Sequence, residues 1–421
     1  PRAAPAVGEN TTPVAVTAAA AESTAMAAFS ETSASALFAV ELSQRYGSEG
    51  LIAKQAILPG SRILSEPPLV RLPHPAEGDY TLSMMHKHLD GEVKDRLLQN
   101  CQGHSLCHGT AESQHLLDYQ KWIALALERQ TQALEAEKAN GVPDSESKVK
   151  IRTFDQSVLD AMLVVCFNSF LSQPTNCFQL VYPTISKSNH SCVPNAQVNA
   201  PDEGDGEIVC IKPIQPGEEI TVSYLCDANL AQSIGRRQKM LAGNWEFTCG
   251  CPRCSTLQDD ARAFTCPVPE CPGRCMISGN CPGDSDELAD LVGSCGHCGT
   301  APGYDAVEAW LTSENEVEGM VDELPEGLFK AWAPCNDFAA EHPSHWLSGH
   351  WKQHLATHTR DEAHEAESEE EKQALFVEAE EHCAAALRCV QGMLGSEGRL
   401  RSWLCPLTKS PAAESTIASE L

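Results

Sequence analysis

The sequence predicts a mainly β chain of small sheets, carrying a helical insertion, a Cys-rich zinc-binding region and a helical C-terminal part. Three observations predict it. Apolar residues alternate over short stretches within 37–70 and 178–225, broken by glycine and proline. Between those stretches the apolar spacing turns helical. Nine of the 20 cysteines then crowd into tight spacings between Cys249 and Cys298.

Each element follows in order. Residues 1–36 are rich in Ala, Thr, Ser and Pro without periodicity and read as a disordered tail. Arg2 is the sole basic residue there, which argues against a transit peptide. Leu37 to Val70 reads as short strands turning at Gly47, Gly50 and Pro59-Gly60. Helices are expected at about 82–99 and 114–138, the second from Leu116, Leu117, Trp122, Leu125 and Leu127. A polar loop from Asn140 to Lys150 precedes an apolar helix at 154–171, and strands return over 178–225 around the acidic 201–207. A helix at 228–242 leads into the Cys-rich region 245–300. The acidic remainder ends in a helix at 371–395, with Asp361 to Glu371 as a solvated face or linker.

Composition narrows the function. The 30 Lys and Arg against 58 Asp and Glu leave a formal charge of −28, with no cationic excess to displace counterions from nucleic-acid phosphates. General DNA or RNA binding is therefore not expected, and a basic protein partner is. The longest apolar run, AMLVVCF at 161–167, is far short of the roughly 18–20 residues of a membrane span. Clustered cysteines without a recognisable leader favour zinc over disulfides, hence a reducing interior such as nucleus or cytoplasm.

Three motifs carry the chemistry. They are SNHSCVPNAQV (Ser188 to Val198), PGEEITVSYL (Pro216 to Leu225) and FTCGCPRC (Phe247 to Cys254). Cys249, Cys251 and Cys254 place three thiols within six positions, which suits tetrahedral zinc and lacks a fourth ligand. Cys192, Cys226, His190 and the next Cys cluster are the candidates for it. A fourth ligand from elsewhere would fold the Cys-rich segment back over the chain like a flap. A second site is expected from Cys266, Cys271 or Cys275, then Cys295 and Cys298, spaced like a zinc ribbon. Four Cys ligands leave no open position, which argues for a structural role and against zinc hydrolysis.

The three ordered motifs resemble those of the SET-domain protein lysine methyltransferases, and specifically the SET and MYND domain subfamily. Residues 46–69, CFNSF at 166–170, VYPTIS at 181–186 and RRQKML at 236–241 extend the resemblance. It implies a SET fold, with small sheets around a pseudoknot, over 37–226 with a helical insertion at about 72–150. A post-SET zinc region at 227–256, the zinc ribbon expected at 257–302 and an acidic, partly helical part at 303–421 would follow. It further implies transfer of methyl from S-adenosylmethionine to a protein lysine. Tyr224 matches the catalytic tyrosine; Gly50, Asn168, Ser186, Asn189, His190 and Phe247 match cofactor-side positions. Cys192 matches the fourth zinc ligand.

There are departures. Ser48 stands where the family's opening Gly-x-Gly has its first glycine, with Glu49 following. The MYND cysteine cluster is not evident between Val70 and Lys150, where the only cysteines are Cys101 and Cys107, with His104 and His108 beside them. These departures motivate an alternative, a non-catalytic SET adaptor binding through its zinc modules and acidic surface. His345, His350, His354 and His358 are spaced partly like one helix face but lack a carboxylate-bearing motif such as HExxH, and read as an exposed or packed face.

Overall fold

The computed structural model describes residues 37–45, 47–74, 89, 91–105, 114–140, 156–278, 292–322 and 333–394. The expected tail at 1–36, most of the loop at 140–150, the start of the helix at 82–99, and Cys107 and His108 lie outside them. Strand β1 (Phe38–Leu42) pairs antiparallel with β2 (Glu49–Ala53), whose Leu51 and Ala53 point inward as strand alternation requires. Gly47 turns between them at φ 68°, a left-handed backbone that glycine takes without strain. Next come β3 (Arg62–Glu66), β4 (Val70–Pro73) and helices α1 (Gly91–Ser105), α2 (Gln114–Ala139) and α3 (Gln156–Asn168).

Strands β5 (Ser169–Leu171), β6 (Phe178–Val181), β7 (Asn189–His190), β8 (Ala196–Asn199), β9 (Gly206–Cys210) and β10 (Glu219–Val222) complete three small sheets. Their orders are β1-β2-β10-β7, β3-β9-β8 and β4-β6-β5. Such small sheets are not stable alone and need a shared apolar face. Leu51, Ile185, Ile208, Ile214 and Ile220 supply it, all fully buried in one cluster. Met162, Val164 and Val165 of α3 pack with Leu97 of α1 against Val70 and Val181. At roughly 1.5–3 kcal/mol per buried apolar side chain, these contacts hold the sheets together.

The remainder contains α4 (Asp227–Leu230), α5 (Ile234–Trp245), a hairpin of β11 (Gln258–Thr265) and β12 (Arg274–Ser278), then α6 (Tyr304–Asp322), α7 (Ala333–Glu341), α8 (Trp346–Glu365) and α9 (Glu369–Leu394). Phe264 of β11 stacks on Trp310 of α6 at 5.1 Å and meets His345 at 4.7 Å. No helix among the described residues is long and apolar enough to cross a membrane.

Two expected helices are corrected. The one at 154–171 stops at Asn168, because 169–171 pair instead with β6 as β5. The one at 228–242 is broken at 231–233, where Ser233 accepts the Arg236 N–H and the buried Asp259 carboxylate accepts the Ile234 N–H at 2.6 Å. Both acceptors satisfy first-turn donors, so a new helix starts there. Helices α6 to α8 escape a periodicity reading because Glu314, His342, His345 and Ser348 are polar yet buried.

Glu314 is the centre of a buried ionic network. Arg262 grips it with Nε at 2.8 Å and Nη2 at 2.5 Å, and His345 Nε2 lies 3.1 Å from Oε1. Burial alone would raise this carboxyl, but hydrogen bonds from His345 and Arg262 outweigh it and hold the pKa at about 2. The folded value lies below the ordinary 4.5, so the network stabilises fully above about pH 4.5 and is lost as pH falls toward 2. Glu314→Gln is expected to lower stability by about 3 kcal/mol at neutral pH. Urea midpoints of the two proteins compared from neutral to acid pH check this; the gap should close at the acid end.

Candidate active site and thiol clusters

The site is assembled on β10. It runs antiparallel to β2, with Glu219 opposite Ile52 and Ile220 opposite Leu51. On its other edge it runs parallel to β7, with Thr221 opposite Asn189 and Val222 opposite His190. The opening turn and the first two motifs are thereby brought side by side. Asn195 locks them together: its Oδ1 accepts the Thr221 N–H at 2.8 Å while its Nδ2 donates to the Glu219 carbonyl at 2.8 Å.

Asn189 Nδ2 donates to Glu219 Oε1 at 2.8 Å and to the Glu49 carbonyl at 3.0 Å, and Ser43 Oγ donates to Glu219 Oε2 at 3.0 Å. Gly50 is required beside this network, since a Cβ there would sit 2.6 Å from Glu219 Oε1 and 2.9 Å from Asn189 Nδ2. Ser48 fits without disruption: it is buried, and its Oγ lies 3.4 Å from Asn189 Oδ1. The acidic Glu49 is paired with Lys187.

Tyr224 follows β10 and is fixed at both ends. Its N–H donates to His190 Nδ1 at 3.0 Å, and its hydroxyl donates to the Ser188 carbonyl at 3.0 Å. Because Nδ1 accepts, His190 carries its proton on Nε2, which lies 3.3 Å from Cys192 Sγ. Three rings surround the phenol, with centroids at 5.4 Å for His190, 5.4 Å for Trp245 and 6.2 Å for Phe247. Burial, and secondarily the charge of Glu219, pushes the phenol well above its ordinary value of 10. It stays protonated at neutral pH and can orient a partner but does not take up a proton.

A cleft of about 530 Å³ opens beside Tyr224, with Asn168, Ser186 and Trp245 in its lining. Ser186 Oγ donates to the Asn168 carbonyl at 3.0 Å, and Asn168 Nδ2 donates back to Val164 at 2.8 Å, so both are held rigidly. Strands β5 and β8, each the last strand of its sheet, contribute facing walls. The walls meet at the Gln173–Pro201 bridge, where the Gln173 N–H donates to the Ala200 carbonyl at 2.8 Å. Among the described residues, Asp227 is the sole carboxylate of the lining, and no Lys or Arg enters it.

Cys192, Cys249, Cys251 and Cys254 have sulfurs within 4.8 Å of one another and are all buried. Of the four candidates for the missing ligand, Cys192 occupies the position. The Cys254–Cys192 separation of 3.5 Å approaches the edge of a zinc–thiolate tetrahedron, about 3.8 Å for Zn–S bonds of about 2.3 Å. Hydrogen bonds among the thiols pull Cys249 down and push Cys192 up. The fully buried Arg237 offers Nη2 to Cys254 Sγ at 3.8 Å, which offsets negative charge in the cluster. The donor set therefore suits a closed zinc site.

The second cluster comprises Cys266, Cys271, Cys295 and Cys298, again within 4.8 Å. It takes Cys271 and not Cys275, which sits fully buried on β12 opposite Phe264. Gly273 is needed here, since a Cβ would lie 2.3 Å from Cys295 Sγ.

The four histidines are not gathered. His345 caps α8 by accepting the Leu347 N–H at 3.3 Å, His350 and His354 face each other, and His358 pairs with Glu362. Trp245, Asn195 and Glu219 are site residues that sequence reasoning missed. Trp245 had a usable signal, an aromatic two positions before Phe247 at a helix end.

The SET domain family matches residues 48–225. Residues of this chain are 41% identical over 73 positions to protein-lysine N-trimethyltransferase SMYD5 of Mus musculus, covering 17% of this chain and 18% of that protein. They are 36% identical over 98 positions to histone-lysine N-methyltransferase SET5 of Scheffersomyces stipitis, covering 22% and 20%. The matched parts thus span about a fifth of these relatives' length. Among solved structures, the SET domain of LSMT bound to lysine and AdoHcy aligns over 89% of both chains at 12% identity and a TM-score of 0.29, too slight to bear on fold or chemistry. The motifs on β7 and β10 lie within the family match: residues 48–225 match the SET domain, and parts of the chain are similar to the lysine methyltransferases named above.

Proposed function

We propose that this chain is an S-adenosylmethionine-dependent protein lysine N-methyltransferase acting on a histone tail or another basic protein. The supporting observation is Tyr224, tethered at N–H and hydroxyl, ringed by aromatic side chains and opening on a cleft between two strand edges. The surroundings fit a cationic sulfonium: the Ser188 carbonyl and Tyr224 hydroxyl oxygens offer lone pairs, and Tyr224, Phe247 and Trp245 offer ring faces. Gly50, Asn168, Ser186, Asn189, His190 and Phe247 would hold the cofactor. When bound, S-adenosylmethionine supplies an electrophilic methyl group on its sulfur.

The chain's own residues then align an in-line displacement. An extended peptide adds to the edges of β5 and β8, where strand backbone groups recognise any sequence. Its target amine must be neutral, against a reference pKa of about 10.4. Phe167, Phe170, Leu171, Val198 and Trp245 desolvate that amine and disfavour its ammonium form. Tyr224 directs the lone pair toward the methyl; positioning of this kind can contribute several kcal/mol, up to ~7–11 in well-oriented reactions. Both thiol clusters bind zinc structurally, the first joining Cys192 beside β7 to the segment that carries Phe247.

The charge of −28 favours a basic substrate by attraction, and histone-lysine activity in the name of a relative points the same way. Residence in the nucleus or cytoplasm is consistent with that substrate. Of the two departures behind the adaptor alternative, Ser48 weighs less here, since it is buried with its Oγ 3.4 Å from Asn189 Oδ1. Calorimetric titration of zinc-loaded protein with S-adenosylmethionine tests the reading. One micromolar site that weakens in Asn189→Ala is expected; no heat of binding would overturn it.

A further inference from the structure

Helix α5 ends at Glu246, which takes a left-handed conformation at φ 56° and turns the chain sharply. Phe247 then returns to the site, 6.0 Å from the His190 ring, and Cys249 enters the first thiol cluster two residues later. Gln238, two turns back on α5, closes this loop. Its Nε2 donates to the Cys249 carbonyl at 2.7 Å and its Oε1 accepts the Cys249 N–H at 2.7 Å. The side-chain amide thus meets one residue's backbone through both of its groups, as a strand neighbour would.

We propose that Gln238 is a positioning residue of the active site, a clamp on Cys249 that sets where Phe247 lies against Tyr224 and His190. The assignment rests on the methyltransferase reading for its kinetic consequence, though not for its geometry. A thiolate ligand fixes one sulfur and leaves rotation about the Cys249 backbone open. Two opposed hydrogen bonds remove that rotation, and Phe247 is only two residues away. At roughly tenfold in population per lost bond pair or better, releasing the clamp depletes the competent arrangement, and kcat falls with it.

The test uses the full chain with zinc loaded and metal content measured in every variant. Gln238→Leu removes both bonds, whereas Gln238→Glu keeps the acceptor for the Cys249 N–H and loses the donor. Hydrogen exchange over residues 245–250 should speed up strongly in Gln238→Leu and less in Gln238→Glu. With zinc still stoichiometric, kcat should fall about tenfold in Gln238→Leu, with partial recovery in Gln238→Glu. KM for the protein substrate should not change, because neither Phe247 nor Cys249 lines the cleft. Wild-type exchange in Gln238→Leu overturns the clamp, and fast exchange with wild-type kcat overturns its positioning role. If the unaltered chain transfers no methyl group, the functional reading fails, while the exchange rates still decide the clamp.

Discussion

Tyr224→Phe will lose methyl transfer by about 10²–10³-fold while keeping its fold, the magnitude typical of removing one preorganised dipole at a reacting centre. The ring and its contacts with His190, Trp245 and Phe247 survive the change. Only the hydroxyl goes, and with it the 3.0 Å bond to the Ser188 carbonyl. That carbonyl is left short of a donor at a cost of about 1 kcal/mol, a small shift in Tm. The reaction loses more, because the same oxygen aligns the amine. The loss should be equal at every pH: the phenol is pushed above its ordinary value of 10 and does not titrate in the working range. Rates of S-adenosylhomocysteine formation against pH, with Tm alongside, measure both halves. A tyrosine acting as general base would instead give a loss that varies with pH.

Stripping zinc, or replacing Cys192 by serine, should be at least as damaging and through a different route. The largest core is built around the thiols: Cys192, Cys249, Cys251, Cys254, Cys266, Cys275 and Cys295 share it with Trp310, Phe338 and Trp351. Structural zinc contributes on the order of 10 kcal/mol where folding depends on it. A fall in Tm of roughly 10 °C or more is therefore expected on chelation. Activity should vanish as well, because His190 bridges Cys192 Sγ to the Tyr224 backbone at 3.3 and 3.0 Å. Protons compete with metal for thiolates, so chelation should become easier as pH falls. Thermal scans with and without a chelator, across neutral to mildly acid pH, check the size and the sign. An unchanged Tm would mean that the thiols are packed without metal.

Much of this site was legible because it is written in contiguous motifs. Asn189, His190 and Cys192 share one motif and Tyr224 stands in the next, so a local pattern carries several groups at once. Cys249, Cys251 and Cys254 announce a tetrahedral site by spacing, yet the fourth ligand lies 57 positions before Cys249 and no spacing rule reaches it; the family resemblance named Cys192 and the sulfur positions agree. Cys271 against Cys275 could not be chosen in sequence, since both follow Cys266 at plausible distance. The pairing of β12 separates them, since it sets Cys275 opposite Phe264 while Cys271 Sγ lies 3.8 Å from Cys295 Sγ.

What stayed hidden was set by long-range packing. Asn195 and Glu219 matter because β10 lies between β2, where Glu219 meets Ile52 167 positions earlier, and β7, where Thr221 meets Asn189 32 positions earlier. Helices α6 to α8 were masked by buried polar groups, whose partners Arg262 and Glu314 are 52 positions apart. The helix over 228–242 looked continuous because Asp259, the residue that caps its second half, comes later in the chain.

The most direct measurement is transfer of tritium from methyl-labelled S-adenosylmethionine to histones and other basic proteins, with the labelled residue identified afterwards. The wild-type, zinc-loaded chain should label a lysine side chain, and Tyr224→Phe should not. Binding of S-adenosylmethionine without transfer to any lysine, or equal labelling by both proteins, would contradict the assignment of Tyr224 as the catalytic residue of a lysine methyltransferase.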